Sequence, residues 1–553
     1  MQNRLAISVC AALLAFFVAR ANHFAQTASQ TFDEGAHLAA GVSYWHTGDF
    51  RLNQEHPPLL KLLWAIPEAL RSDVRFEPDA NAWEHRDHWR IADAFLYENA
   101  VDHFELLLSA RRVNIALGAL LVALIGWWAY RLWGVGAGVL ACALAALDPN
   151  LAAFAALLSM DLGLALFATA TAYALWEYAG NGSRRWFYFA GLTLGLALAS
   201  KFPAVLTVSG LGAGAIVFAL AGGRFGVPGA PAAPTSVNRV RTVFAAFVRL
   251  GLVAAAVVAI CYGGIHMLDW AAGLKQQMIR KEHDPRYFLD GEISSAGWWH
   301  YFLEVMWIKT PPATLLLATV SIAGFALGRR LARREVAFLV IPAAVYAIAI
   351  AASRIDIGWR VLLPAYPVLI LLAARSITLV SPEGLARTLG LAAIVATVMP
   401  GVIEVRHLGK EISYANGLGA HRDNLHERLG DSNIDWGQGL KTLKMELAAR
   451  GDPVIYLSYA GTARPEAYGI RHVRLPGWGR IHTPSAEQID PSGPIIVAVS
   501  VSNLQGTYLQ NVALYHWLRE REPVSRTDDS IWLFDVTGDA EVRQLLLPLA
   551  ATR

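Results

Sequence analysis

Val113-Asn114-Ile115-Ala116-Leu117-Gly118-Ala119-Leu120-Leu121-Val122-Ala123-Leu124-Ile125-Gly126-Trp127-Trp128-Ala129-Tyr130 carries no charged side chain. A helix crosses the hydrocarbon core of a bilayer with about 20 mainly apolar residues, so this stretch and its margins are long enough to span. The pattern recurs. Apolar stretches lie near 5–20, 112–130, 134–148, 161–180, 186–200, 203–221, 242–262, 311–328, 335–352, 361–378 and 384–403, which predicts about eleven spans. The chain of 553 residues is 55% hydrophobic and 16% charged, against about 25% charged in an ordinary soluble domain. A soluble core cannot hide so many apolar runs. The expected fold class is therefore an α-helical polytopic membrane protein.

The first run follows Arg4 and ends at Ala19-Arg20-Ala21. A secretory signal with a small-residue cleavage site and an uncleaved first span share that pattern; the long polar segment and many spans beyond it favour the uncleaved span. Either reading puts residue 24 onward outside. Basic residues in short loops mark the cytoplasmic side. Arg184, Arg185, Arg224, Arg239, Arg241, Arg329, Arg330, Arg333 and Arg334 all fall on one side if the N-terminus is cytoplasmic. The segment 24–110, the turns near Asp148 and Lys201, the segments 263–310 and 353–360, and the C-terminal tail then face out. Gly226–Pro234, rich in Pro, Gly and Ala, reads as a flexible cytoplasmic connector. Cys10, Cys142 and Cys261 sit in apolar runs without metal-ligand spacing and read as small buried hydrophobes. The net charge of +3 says little, and no basic cluster interleaved with aromatics points to nucleic acid.

From about residue 406 the composition becomes that of a soluble domain. Helical patterns near 436–450 and 505–520 alternate with β-type runs Val454–Tyr459, Ile495–Ser500 and Ile531–Phe534. This alternation predicts a small α/β domain with a largely parallel sheet. The expected organisation is a membrane core over 1–405, with the large outer loop 24–110, followed by an outer domain over 406–553.

Chemistry concentrates in the outer loops. Segment 24–110 is too long for a plain connector, and Tyr44, Trp45, Trp64, Trp83 and Trp89 suggest helices lying at the interface. Asp33-Glu34 stands just past the first span. A carboxylate there can take the proton of an acceptor hydroxyl attacking a sugar's anomeric carbon; equally, the pair can be wet residues ending a helix. Asp161 opens a later span, where an ionisable group is either functional or a helix cap. Lys201 and Arg360 are cations suited to a phosphate at the interface or to snorkelling toward headgroups. Arg354 and Asp356 read as an exposed pair of little energetic weight. Glu55, His56, His283 and His300 offer ligand types for a divalent metal, although their spacing gives it no support.

Four features in series resemble the C-type glycosyltransferases that use a polyprenyl-phosphate-linked sugar. More narrowly, they resemble the bacterial phospholipid-carrier-dependent members related to protein O-mannosyltransferases and to the lipid A aminoarabinose transferase. They are Asp33-Glu34; Asn53-x-Glu55-His56-Pro57-Pro58-Leu59 with Lys61; His283-x-Pro285-x-Tyr287-x-Leu289 running on to Gly297-Trp298-Trp299-x-Tyr301-Phe302 and Lys309-Thr310-Pro311; and Asp431-Ser432-Asn433-Ile434-Asp435-Trp436-Gly437-Gln438. The resemblance implies Asp33 as general base with Glu34 and Asp161 in support, and Lys201 and Arg360 on the lipid phosphate. It implies a cavity lined by Glu55, His56, Lys61, His283, Tyr287, Trp298 and Trp299. It further implies a bacterial inner (plasma) membrane protein that takes a polyprenyl-phosphate sugar and an acceptor protein, lipid or glycan. The sequence departs from the family's pattern in three places. Ala155–Asp161 lacks an upstream basic residue, Val361 stands where a histidine is more usual, and Gly439 stands where an acid is expected. The alternative reading is a transporter or flippase of a lipid-linked glycan intermediate. Transporters favour mid-membrane charges on broken helices in two related halves, whereas the charges here cluster in outer loops.

Overall fold

Each of the expected apolar stretches coincides with a helix. In order these are Gln2–Thr27, His103–Trp133, Val135–Leu147, Met160–Asn181, Arg184–Leu198, Ala204–Leu220, Ser236–Cys261, Pro312–Ala323, Ile341–Ser353, Tyr366–Arg375 and Gly384–Ile403. The computed structural model describes residues 2–229, 235–280, 286–380, 383–403, 408–479 and 493–551. Among them, Asn3–Thr27, His103–Trp133, Ser236–Cys261 and Arg333–Ser353 are individually long and apolar enough to cross a membrane, and two bent pairs raise the number from 4 to 6. Val135–Leu147 meets Pro149–Ala156 at 61°, and Tyr301–Lys309 meets Pro312–Ala323 at 114°. Both bends fall at proline, which lacks the N–H a continuing helix needs. At the first, the Asp148 carboxylate accepts from the N–H groups of Asn150 and Leu151 and so starts the second helix. The chain is an α-helical polytopic membrane protein.

Small residues let the helices approach. A Cβ at Gly210 would sit 2.7 Å from Pro342 Cα, and one at Gly214 would sit 1.8 Å from the Ala337 carbonyl oxygen. Backbone contact of this kind is how helices associate where lipid is as apolar as leucine. The basic loop residues gather at one end of the bundle. Arg333 donates to the Ala221 carbonyl at 2.6 Å, and Arg334 lies 3.9 Å from the Trp176 ring centroid. Arg239 donates to the Ala219 carbonyl at 3.4 Å.

At the other end, the segment between the first two long helices folds into the short helices Glu34–Thr47, Leu59–Trp64, Ile66–Ala69, Ala80–Glu84 and His88–Tyr97. Arg20, within the expected first span, is buried and pairs with Glu411 at 3.2 Å. A hairpin of β1 (Tyr287–Leu289) and β2 (Glu292–Ser294) follows later. The C-terminal part carries β3 (Ile455–Ser458), β4 (His472–Arg474), β5 (Ile496–Ser500), β6 (Ser525–Thr527) and β7 (Ile531–Asp535), in the spatial order β4-β3-β5-β7-β6. β3 pairs in parallel with β4 and β5, whereas β7 pairs antiparallel with β5 and β6. The sheet is therefore mixed rather than largely parallel. A tight turn with Asp528 and Asp529 at φ 51° and 56° joins β6 to β7, and so short a link permits only an antiparallel partner. The helix expected over 505–520 resolves into Val501–Gln505 and His516–Arg519, broken after Gly506 at φ 79°.

The outer loop and the C-terminal part are laced together. Ser29 N–H donates to the Gln438 carbonyl and Phe32 N–H to the Trp436 carbonyl, both at 2.9 Å. This lacing brings the Asp431–Gln438 segment against the residues that precede Asp33.

Candidate functional site

Asp33 immediately precedes the helix Glu34–Thr47 and makes no capping hydrogen bond among the described residues. Its carboxylate instead faces a cavity of about 640 Å³, where Lys201, Arg360, Glu55 and His56 also reach the wall. Asp33 Oδ2 lies 3.7 Å from an Arg360 terminal nitrogen, with Asp33 31% and Arg360 15% exposed. The guanidinium lies 4.3 Å from the Trp436 ring centroid, and its buried Nε has no hydrogen-bond partner among the described residues. Lys201 Nζ donates to Asp161 Oδ1 at 2.6 Å. Asp161 lies in the first turn of Met160–Asn181, behind Ser159 at the cap position, so it holds a cation rather than the helix end.

The cavity has two kinds of wall. Val205, Leu206, Leu274, Met278 and Ile350 give it apolar surface; Phe32, Trp89, Trp478 and Tyr508 give it aromatic rings, and Asp431 and Asp435 carboxyl groups. Phe32 stacks on Trp478 with ring centroids 4.4 Å apart, and Tyr508 packs against Trp478 at 4.3 Å with its ring tilted by 32°. Tyr508 O–H donates to Asp431 Oδ2. Burial pushes the Asp431 carboxyl up, with Arg360 and Tyr508 opposing, and burial pushes Asp435 up to about 6. A carboxyl removed from water favours its neutral form.

Several expected site residues lie elsewhere. Glu34 is fully buried away from the cavity, bound to Arg111 at 2.9 and 2.6 Å, and accepts from the N–H groups of Thr31 and Leu158. Burial opposes its charge, but Arg111 and these bonds outweigh it and hold the carboxyl below its usual range. Lys61 is also fully buried. Its ammonium donates to Tyr44 Oη, to the Asn53 carbonyl and to the His56 carbonyl at 2.9, 2.7 and 2.8 Å, so it ties down the loop that carries Glu55 and His56. Burial lowers Lys61 to about 7. Tyr287 is buried in β1, and Trp299 is 68% exposed; neither lines the cavity. Trp298 donates its N–H to Asp356 Oδ2 at 2.7 Å. Asp356 is thus buried, not part of an exposed pair with Arg354, because it caps that turn. His283 lies outside the described residues. Among those described, no group of three His, Cys, Asp or Glu side chains is placed to hold a metal.

Sequence reasoning missed His37, whose ring lies 5.5 Å from His56, and the C-terminal residues Asp431, Asp435, Trp478 and Tyr508. The Asp431–Gln438 motif had flagged two of these without placing them.

Over part of its length the chain is similar in sequence to glycosyltransferases. More particularly, residues 9–221 match the family described as "Dolichyl-phosphate-mannose-protein mannosyltransferase". A comparison with curated proteins finds no match. Among solved structures, ArnT from Cupriavidus metallidurans in the apo state is similar at TM-score 0.48 and 11% identity, over 100% of this chain and 99% of that one. The oligosaccharyltransferase of Archaeoglobus fulgidus is similar at TM-score 0.46 and 12% identity, over 84% and 63%. The S. cerevisiae protein O-mannosyltransferase complex Pmt1-Pmt2 gives 0.31 and 18%, over 49% and 34%.

Proposed function

We propose that the chain is an inverting glycosyltransferase that moves a sugar from a polyprenyl-phosphate carrier to an acceptor on the outer side of a bacterial inner membrane. The observation that carries this reading is one cavity that joins Asp33 and the cations Lys201 and Arg360 to an apolar wall between helices. The isoprenoid tail lies along that wall, and the phosphate sits at Lys201 and Arg360. The acceptor hydroxyl oxygen bonds to the anomeric carbon from the face opposite the phosphate, and its proton passes to Asp33. The bond from anomeric carbon to phosphate oxygen breaks with its electron pair on the phosphate, where the two cations stabilise it. Asp161 keeps Lys201 in place, and Glu34 supports Asp33 through the backbone rather than by contact. In this reading 1–405 is the catalytic membrane core, 406–553 an outer domain, and the N-terminus cytoplasmic.

The test is transfer by purified membranes supplied with polyprenyl-phosphate-linked radiolabelled sugars, wild type against Asp33→Asn. Loss of a positioned base lowers the rate by about 10²–10⁴-fold. Label reaching a product only in the wild type supports the reading, and the product identifies the acceptor as protein, lipid or glycan. Equal transfer by the variant overturns the role of Asp33. Movement of intact carrier across the membrane without transfer favours a flippase.

A further inference from the structure

The turn ahead of Arg360 is anchored at two points by a segment 74 and 75 positions away in the chain. Trp359 N–H donates to Asn433 Oδ1 at 3.0 Å. Ser432 O–H donates to the Ile357 carbonyl at 2.6 Å. Between them stands Gly358 at φ 128°, a conformation that L side chains rarely adopt. A Cβ there would meet Ser432 Oγ at 2.4 Å. The turn and the 431–436 segment therefore touch backbone to side chain, with room for nothing larger.

The segment is itself fixed. Asn433 Nδ2 donates to Tyr301 Oη at 3.0 Å and to the Gly430 carbonyl at 2.9 Å. Lys309 Nζ donates to the Asn433 carbonyl at 2.9 Å. Asn433, Ser432, Tyr301, Lys309 and Trp359 are all buried. Farther along the same segment, Trp436 carries the Arg360 guanidinium on its ring face at 4.3 Å. One short segment thus holds Arg360 twice, by the backbone ahead of it and by the side chain's end.

We infer that Asn433 and Ser432 are positioning residues for Arg360, so that the Asp431–Trp436 segment acts as a clamp that sets the guanidinium against the donor's phosphate. The inference rests on the proposed phosphate-binding role of Arg360. It gives the C-terminal part a defined share in donor engagement, beyond covering the cavity, and joins the Gly358-Trp359-Arg360 turn and the Asp431–Gln438 motif in one device. Asn433 touches neither substrate; its effect passes through Arg360, and misplacement of such a group is costly even when the mutated residue is remote.

The experiment measures binding of polyprenyl phosphate, without sugar, to the full-length protein in detergent, for wild type, Ser432→Ala, Asn433→Ala, Arg360→Ala and the Asn433→Ala/Arg360→Ala pair. Thermal melting of each variant reports folding. Asn433→Ala is expected to weaken binding about ten-fold and Ser432→Ala by a smaller factor. The double variant is expected to be no weaker than Arg360→Ala alone, because a positioning residue has nothing left to position. In transfer assays the donor KM rises while the acceptor KM holds. Additive losses in the double variant, or unchanged carrier binding by Asn433→Ala and Ser432→Ala with melting intact, overturn the clamp. Ser432→Ala removes one hydroxyl and keeps the test open if Asn433→Ala does not fold. If Arg360→Ala binds carrier as well as wild type, the phosphate reading itself fails and the clamp falls with it.

Discussion

Asp33 and Glu34 are chain neighbours in opposite environments. Asp33 is 31% exposed to the cavity, whereas Glu34 and Arg111 are both fully buried in contact at 2.6 Å. Removing one partner of a buried ion pair strands the other charge and costs about 3–5 kcal/mol. Glu34→Gln is therefore expected to lower the thermal midpoint markedly, while Asp33→Asn lowers transfer about 10²–10⁴-fold with a midpoint close to wild type. Comparing melting and activity for the two variants checks this division. His37 adds a pH dependence. Burial, with the Lys61 charge, lowers it to about 3 from 6.5. The unfolded chain then takes a proton that the folded protein refuses as pH falls below 6.5, so stability is present above that pH and declines toward 3. The decline contributed by His37 reaches about 2 kcal/mol at pH 5, and His37→Gln should flatten the melting-versus-pH curve between pH 6.5 and 5. The acid pair was legible from sequence because two carboxylates at the end of an apolar run stand out. Which one faces the cavity was not, because burial by Arg111 comes from a helix some 77 positions away.

Among the elements, helix pairing through glycine sets how closely the bundle packs. The helix Ala204–Leu220 lies so near Ile341–Ser353 and the turn before it that a Cβ at Gly214 would overlap the Ala337 carbonyl at 1.8 Å. Gly214→Ala must push the two backbones apart, and overpacking of this kind costs about 1–3 kcal/mol. Gly251, inside Ser236–Cys261, meets no described atom within 4 Å. Gly251→Ala should be neutral or stabilising by about 0.5–1 kcal/mol, the ordinary gain of alanine over glycine in a helix. Spectroscopic or calorimetric melting of both variants in one detergent separates contact from propensity; equal effects would overturn the close packing at Gly214. The helices themselves were legible, since uninterrupted apolar runs have one solution in a bilayer. The strand β6 was not: Ser525-Arg526-Thr527 is short and polar, and only pairing with β7 makes it a strand.

At the scale of the molecule, the two ends of the bundle differ in chemistry. One gathers Arg239, Arg333 and Arg334 against the carbonyls that end the helix Ala204–Leu220 and against Trp176; the other gathers the cavity, the folded outer loop and the C-terminal sheet. Counting spans puts the loop arginines on one side of the membrane, and contacts with neighbouring backbone and Trp176 bring three of them, Arg239, Arg333 and Arg334, to one end of the bundle. What counting could not supply was the cavity, because its walls come from residues as distant in the chain as Phe32, Lys201, Arg360 and Trp478, and no local period encodes such a meeting. Orientation is then a prediction about sidedness. Positive loops stay on the cytoplasmic face, so the arginine end should be inside and the cavity end outside. In a variant with Cys10, Cys142 and Cys261 replaced by alanine, a single cysteine is placed at Leu70, Leu418 or Leu327, all well exposed. A membrane-impermeant maleimide added to intact spheroplasts should label Leu70→Cys and Leu418→Cys and spare Leu327→Cys until the membrane is opened. The reverse pattern would put the cavity on the cytoplasmic face, where a nucleotide-linked donor is accessible, and would remove the reason for a lipid carrier. Labelling at Leu70 without Leu418 would separate the outer loop from the C-terminal part, against the hydrogen bonds that join Ser29 and Phe32 to Gln438 and Trp436.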